Sequence, residues 1–262
     1  MRLGLGPVSL KDATRSQLES LAAQAAASSF DAVWVAESRA DGVGGGLAAA
    51  AMIAQAVPIR VGAVVDAGLY HPLHLAEDIA VADLASQGRI EVLLRLTSAA
   101  SSRYETPPDR EWMVEHLQAL TVAMSGAHMQ WNGDALRIPG RIEANQPAPQ
   151  RLAVNPSPAQ PVVPVWIEAS EAWLDQAARE LGYGVAEQWR RGEKVPAATG
   201  RWPSLLLCPR DVEANDLLAT VGDRAGYFVV SAATPVEVAS VGRRLAGPLR
   251  MPEFPEWINS RQ

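Results

Sequence analysis

Short apolar runs alternate with longer segments of helical period along most of the 262-residue chain. Parallel strands joined by crossover helices read this way in sequence. The first run, 2–6, precedes a helical stripe of Leu18, Leu21, Ala22 and Ala25. A second run, 32–37 (AVWVAE), follows the turn residues Phe30 and Asp31. Next come an alanine-rich helix over 44–57, a run at 59–65 and a helix over about 73–86, with Leu75, Ile79, Ala82 and Leu84 largely inward. Gly88 should end that helix, as a residue free to take positive φ. The run 89–96 and a helix over about 110–124, carried by Met113, Leu117, Leu120 and Met124, complete four βα units.

The rhythm breaks between 125 and 162. Trp131-Asn132-Gly133-Asp134 reads as a tight turn between two short extended pieces, and six prolines fall within 147–164. These prolines are interleaved with apolar residues rather than Gly and Ser, which predicts an ordered excursion over one end of the fold and not a linker. The chain is therefore expected to form one domain over 1–262, with an insertion at about 125–162 after the fourth βα unit. The pattern resumes with a run at 163–168, a helix over 171–181 ended by Gly182, a weak strand at 184–187, runs at 204–208 and 227–231, and a helix over 235–249. The segment 190–203 holds no convincing helix. Eight ordered strand signals predict an α/β (β/α)8 TIM-type barrel, with an open doubly wound sheet as the competing architecture.

Charge narrows the partners. The formal net charge is −6 and no run of five basic residues occurs, which argues against nucleic acid and against a polybasic membrane anchor. No apolar stretch reaches the roughly 20 residues of a membrane helix. Cys208 is the one cysteine, so no intramolecular disulfide forms, and the opening MRLGLGPVSLKDATRSQ has no apolar core of signal-peptide length. A cytoplasmic location is the expectation.

The first half resembles the bacterial-luciferase-like flavin monooxygenases. The resemblance is carried by FDAVWVAE (Phe30, Asp31, Val33, Trp34, Glu37), by IRVGAVV, and by HPLHLAEDIAVADLASQGRIEV (His71, Pro72, Ser86, Gly88, Arg89). PVVPVWIEAS, AARELGYGV and the closing AGYFVVSAATPVEVASVGRRLAGPLR are similar to the later parts of that family, in the right order. The resemblance covers most of 1–185 and 225–250. It implies a TIM-type barrel with one larger insertion, reduced flavin mononucleotide (FMN) or a related deazaflavin as cofactor, a small organic substrate, and often a dimer. Barrel chemistry sits at the C-terminal ends of the strands.

Those ends offer Ser9, Glu37, Arg39, Asp66, Arg95, Thr97, Glu168, Ser170, Glu187, Trp189, Cys208, Arg210 and Ser231. Where the resembling family carries Glu followed by His, this chain has Glu37-Ser38-Arg39, which removes the side chain best suited to proton transfer near neutral pH and leaves Glu37 and Arg39 as catalytic candidates. Where flavin-binding members end strand four in a glycine-rich stretch with an arginine for phosphate, this chain reads Glu91-Val92-Leu93-Leu94-Arg95-Leu96-Thr97. Leucines pointing into the cavity would occupy space that a flavin ring needs. Arg95 comes one position early, which in a strand reverses the face. Arg95 and Thr97 are nevertheless cofactor-binding candidates, together with Ser170 as the opening residue of the 171–181 helix and Glu168 beside it.

Other features have blander readings. His71, His74, His116 and His128 lack metal-ligand spacing, so no metal is expected, and His71 before Pro72 reads as structural. Gly4-x-Gly6 lacks the rest of a dinucleotide motif. Cys208 reads as a buried small apolar residue. Of eight tryptophans, Trp131, Trp189 and Trp202 fall in irregular segments, where an indole plugs a barrel end, serves an interface or stacks on a planar ligand.

Two functions from different classes follow. One is a reduced-flavin-dependent monooxygenase or related oxidoreductase with Glu37, Arg95 and Ser170 in contact with its ligands. The other is a flavin-free paralogue of the same fold, a subunit or ligand-binding partner in a homodimer or heterodimer through the early helices. A sugar-phosphate barrel enzyme is a weaker third, lacking the Lys/His/Glu set such a site wants.

Overall fold

The computed structural model describes residues 1–37, 45–96, 110–138, 152–195, 201–221, 226–232 and 234–249. The elements run β1 (Arg2–Ser9), α1 (Arg15–Ala27), β2 (Ala32–Ala36), α2 (Gly46–Ala56), β3 (Arg60–Asp66), α3 (Pro72–Ala85), β4 (Ile90–Arg95), α4 (Arg110–Met124), β5 (Trp131–Asn132), β6 (Arg137–Ile138), β7 (Val165–Glu168), α5 (Ala172–Leu181), β8 (Gly184–Gln188), β9 (Leu205–Cys208), α6 (Ala214–Val221), β10 (Tyr227–Val230) and α7 (Pro235–Leu249). Eight strands close a parallel barrel in the order β1-β10-β9-β8-β7-β4-β3-β2. This is the expected (β/α)8 architecture, and closure excludes the open doubly wound sheet. Closure comes from β1 pairing both with β2 and with β10, the latter from Arg2↔Tyr227 to Leu5↔Val230.

Local chemistry sets most element ends. Thr14 caps α1 in a reciprocal box with Gln17, and Gly182 at φ 77° stops α5. His71 caps α3, its Nδ1 accepting from the Leu73 N–H at 3.3 Å, which is the structural role expected of it. On α3, Leu75, Ile79 and Ala82 are buried as expected, but Leu84 is 43% exposed, because it sits beyond the edge of the stripe that meets the barrel. α6 was not anticipated: it has two turns, and its apolar positions are too few to stand out.

The excursion after α4 contains the expected hairpin, shifted by two residues. Trp131 and Asn132 are in its first strand and the turn follows, closed by the Gly133 N–H donating to Leu136 O at 2.9 Å. Glu115 of α4 pins it, accepting from Trp131 Nε1 at 2.7 Å and from the Ala135 and Leu136 N–H groups at 2.9 and 3.2 Å. Any side chain at Gly133 would overlap that carboxylate.

Alternation along the strands divides two apolar bodies. One lies between strands and helices; the other is the barrel interior, with Trp34, Trp166, Leu93, Leu205, Leu207, Tyr227 and Val229. Trp34 and Trp166 have ring centroids 6.0 Å apart, and Tyr227 lies 6.0 and 5.6 Å from them. Such large rings fit because the strands offer glycine opposite them. A Cβ on Gly62 would lie 2.0 Å from the Trp34 ring, and one on Gly184 would lie 2.4 Å from that of Trp166. Trp202 closes the floor, 6.1 Å from Trp166, so for this residue plugging is observed.

Beneath the rings, a buried polar set seals the N-terminal end. The Glu91 carboxylate is fully buried and accepts from Arg2, from Arg60 Nε at 2.5 Å and from the Tyr227 hydroxyl at 2.7 Å. Arg60 also donates to Gln160 at 2.7 Å, and Gln160 donates to Asp83 through its backbone and side chain at 2.7 and 2.6 Å. Burial alone would raise the Glu91 pKa, but Arg2 and Arg60 hold it below the ordinary carboxylate value. Gln160, from the proline-rich excursion, thus fastens that segment under the barrel.

Candidate active site

At the opposite end the strands finish in Ser9, Ala36, Asp66, Arg95, Glu168, Gln188, Cys208 and Val230. A cavity of about 430 Å³ lies there, lined by Pro7, Arg95, Gln188, Trp189, Leu207 and Ser231 among others. Arg95 is the one charged residue in the described lining, and its Nε sits 2.6 Å from Glu168 Oε2, with both side chains about a quarter exposed.

The position of Arg95 follows from β4 itself. Glu91 reaches the barrel floor and Leu93 belongs to the interior body, while Val92 and Leu94 pack toward the helices. Arg95 continues the inward series and therefore opens onto the cavity. Leu93 is completely buried among the interior rings and does not line the cavity, and Leu96 packs outward. The leucines that replace a glycine-rich strand end fill space below and outside the mouth, leaving the mouth itself open.

Glu37 occupies a separate corner. Its carboxylate accepts from the Gly45 and Gly46 N–H groups at 3.2 and 3.1 Å, from the Tyr70 hydroxyl at 2.5 Å and from the Asp66 N–H at 3.5 Å. It thereby caps the otherwise uncapped start of α2 and ties β2 to the end of β3. Burial, then the bond to Glu37, pushes the Tyr70 hydroxyl pKa well up. Glu37 is 8% exposed and is not part of the cavity lining.

Ser170 does not open α5. The cap is Glu171, in extended conformation, and Ser170 is an exposed residue whose N–H donates to Glu168 O at 3.0 Å. Glu171 accepts from Trp173 Nε1 at 2.8 Å and Asp175 stands in the first turn. These two carboxylates place negative charge at the positive end of the helix, which disfavours a phosphate there. Arg39 and Thr97 lie outside the described residues. Of the six candidates, the structure brings together Arg95 and Glu168.

Sequence reasoning missed Gln188. β8 runs one residue past its expected end, and the inward alternation Gly184, Ala186, Gln188 would have placed the amide at the mouth. Cys208 is buried, donates weakly to Leu206 O at 3.6 Å, and burial raises its thiol pKa, which leaves it an inert packing residue. Among the described residues no group of three His, Cys, Asp or Glu could hold a metal ion, and no helix is long and apolar enough to cross a membrane.

Comparison with known proteins places the site in context. The sequence profile of the luciferase-like monooxygenases matches residues 4–194. A comparison with curated proteins gives no match. Similar solved structures include monooxygenase RslO1 from Streptomyces bottropensis, at 15% identity and TM-score 0.64, covering 95% of this chain and 99% of that one. An F420-dependent secondary alcohol dehydrogenase, solved with an F420-acetone adduct, has 12% identity and TM-score 0.70 over 95% and 99%. The oxygenating constituent of 3,6-diketocamphane monooxygenase from Pseudomonas putida, solved with FMN, has 14% identity and TM-score 0.54 over 72% and 58%. At these identities the structural likeness speaks for the fold alone.

Proposed function

Since the chain belongs to the luciferase-like monooxygenase family, we propose that it is an oxidoreductase using reduced FMN or a related deazaflavin at the C-terminal mouth of its barrel to act on a small organic substrate. The observation that carries this reading is the open cavity of about 430 Å³ with Arg95 on its wall and Leu93 buried beneath it. The residues present fit such a group. A flavin's pyrimidine edge alternates donors and acceptors, and the Gln188 amide and Ser231 hydroxyl can each act as either. Bound in reduced form, a flavin would supply hydride or electron transfer, or oxygen activation.

The work of this chain's residues is binding and exclusion. Arg95 offers a fixed cation whose fork Glu168 orients from the neighbouring strand, and it can bind an anionic group by shifting its donors from that carboxylate. Leu207 and Trp189 supply apolar wall; Trp189 is held by its indole N–H donating to Thr220 Oγ1 at 3.1 Å. Glu37, with its acceptor positions filled, acts as a positioning group for the start of α2 and the turn at Tyr70. Ser170, Arg39 and Thr97 are kept in this reading as candidate secondary contacts. A dimer through the early helices is part of the proposal, supported by Met52 on α2 and by Val81 and Leu84 on α3, which are 42%, 52% and 43% exposed.

Titration of the protein with FMN and with F420, each oxidised and reduced, tests the reading. Binding with a perturbed visible spectrum is expected, and Arg95→Ala should weaken it about tenfold or more, as loss of a charge-assisted contact does. Absence of binding by both cofactors in both redox states would overturn it.

A further inference from the structure

The N-terminal end of the barrel carries a second cavity, of about 470 Å³. It is bounded by the last turns of α4 and α5, by the middle of α3, and by residues that lead into strands: Val163 before β7, Tyr183 before β8, Trp202 before β9. It therefore lies at the end of the barrel opposite Arg95, Gln188 and Ser231. That end of a (β/α)8 barrel ordinarily serves stability, and here its polar work is done by the buried Glu91 set. The groove is no part of that set.

Its chemistry is one-sided. Ala76, Ala80 and Ile79 make a trough of small and branched side chains, with Met124 along it, and the Thr121 and Tyr183 hydroxyls on the wall are satisfied by each other at 2.7 Å. Among the described lining residues Arg201 is the one charged group, and none carries a negative charge. Arg201 is exposed and makes no ion pair with any described carboxylate, so its guanidinium can turn to a ligand without first giving up a described partner. An apolar trough of ligand-pocket size lined by one guanidinium with no described carboxylate partner is complementary to an apolar tail bearing a single planar anion.

We propose that this groove binds an unbranched aliphatic carboxylate, its tail along Ala76, Ala80 and Met124 and its head on Arg201. A carboxylate suits the site better than a phosphate, because one guanidinium balances its single negative charge. Trp202 connects the groove to the interior, since it lines the trough and lies 6.1 Å from Trp166. Occupancy therefore reaches the barrel's aromatic column without touching the mouth.

Calorimetric titration with dodecanoate, below its micellar range, tests the site, with tryptophan emission as a second readout. Dodecanoate should bind and change the emission, while dodecyltrimethylammonium, of equal tail and opposite charge, should fail to bind at the same concentrations. Arg201→Ala should weaken dodecanoate about tenfold, the scale of one charge-assisted contact. Met124→Trp, which fills the trough, should abolish binding, and Arg95→Ala should leave it unchanged. No binding at millimolar dodecanoate, equal binding of the cationic probe, indifference to Arg201→Ala, or loss on Arg95→Ala would each overturn the assignment. None of these results depends on the flavin titration.

Discussion

The two ends of the barrel treat charge in opposite ways. At the N-terminal end, Glu91 is buried completely and meets Arg2, Arg60 and Tyr227, with both carboxylate oxygens engaged. At the C-terminal mouth, Arg95 and Glu168 form a single pair, about a quarter exposed, beside open volume. A buried charge without its partners costs far more than a rim charge without its own, so the first arrangement cannot rearrange and the second can. The end that holds the fold together is the one whose charges are buried and matched; the end with an exposed pair beside open volume is where a ligand can be accommodated.

The sharpest way to break this contrast is Glu91→Ala. It strands two arginines in the interior and should lower stability by about 3–5 kcal/mol, enough to unfold a marginal domain, as measured by denaturant unfolding. Glu91→Gln keeps the volume and the Tyr227 contact and should cost less; no loss at all for Gln would mean that packing rather than charge holds the floor.

Acid should expose a different weak point. His116 on α4 is 1% exposed, lies 4.9 Å from the Trp112 ring, and has no hydrogen-bond partner on either nitrogen among the described residues. Burial, then the nearby His71, pushes its pKa down to about 4 from an ordinary 6.5. The folded state keeps it neutral while the unfolded chain protonates, so its contribution is complete above pH 6.5 and is lost as pH falls from 6.5 to 4. The shift corresponds to roughly 3 kcal/mol. Glu91 acts lower, since its depressed pKa makes its contribution fade only below the ordinary carboxylate value. His116→Leu should therefore flatten the upper part of the acid unfolding curve and leave the lower part; an unchanged curve would remove His116 as its source.

The smallest stability effect is expected at the mouth. Arg95→Ala or Glu168→Gln should change unfolding free energy by about 0–1 kcal/mol, the range for partly exposed pairs, even where Arg95→Ala weakens cofactor binding. A loss as large as that of Glu91→Ala would erase the distinction between the two ends.

How much of this was legible in the sequence depends on the range of the physical cause. The eight strand runs, the helical stripes of α1, α3 and α4, Gly182 as a helix stop and the hairpin near Gly133 are written in period and turn chemistry, which act over a few residues. α6 was not legible, because two turns give too few apolar positions to establish a period. The site was legible only in its residue types. Arg95 could be named, but its face depended on where β4 starts its alternation. Ser170 looked like a helix cap, yet Glu171 takes that place. Glu37 carried no local sign that Gly45, Gly46 and Tyr70 would fill its acceptor positions.

By itself, then, the sequence determined the alternation of strands and helices, the barrel they form and the family it resembles, because these rest on local periodicity and ordered motifs. Tertiary structure alone decided which charges meet. Arg2 and Glu91 are 89 residues apart, and Trp34 meets Tyr227 across 193. The reason is geometric: closing a barrel fixes strand register all round, and register selects the side chains that share a layer, a quantity no local window of sequence contains.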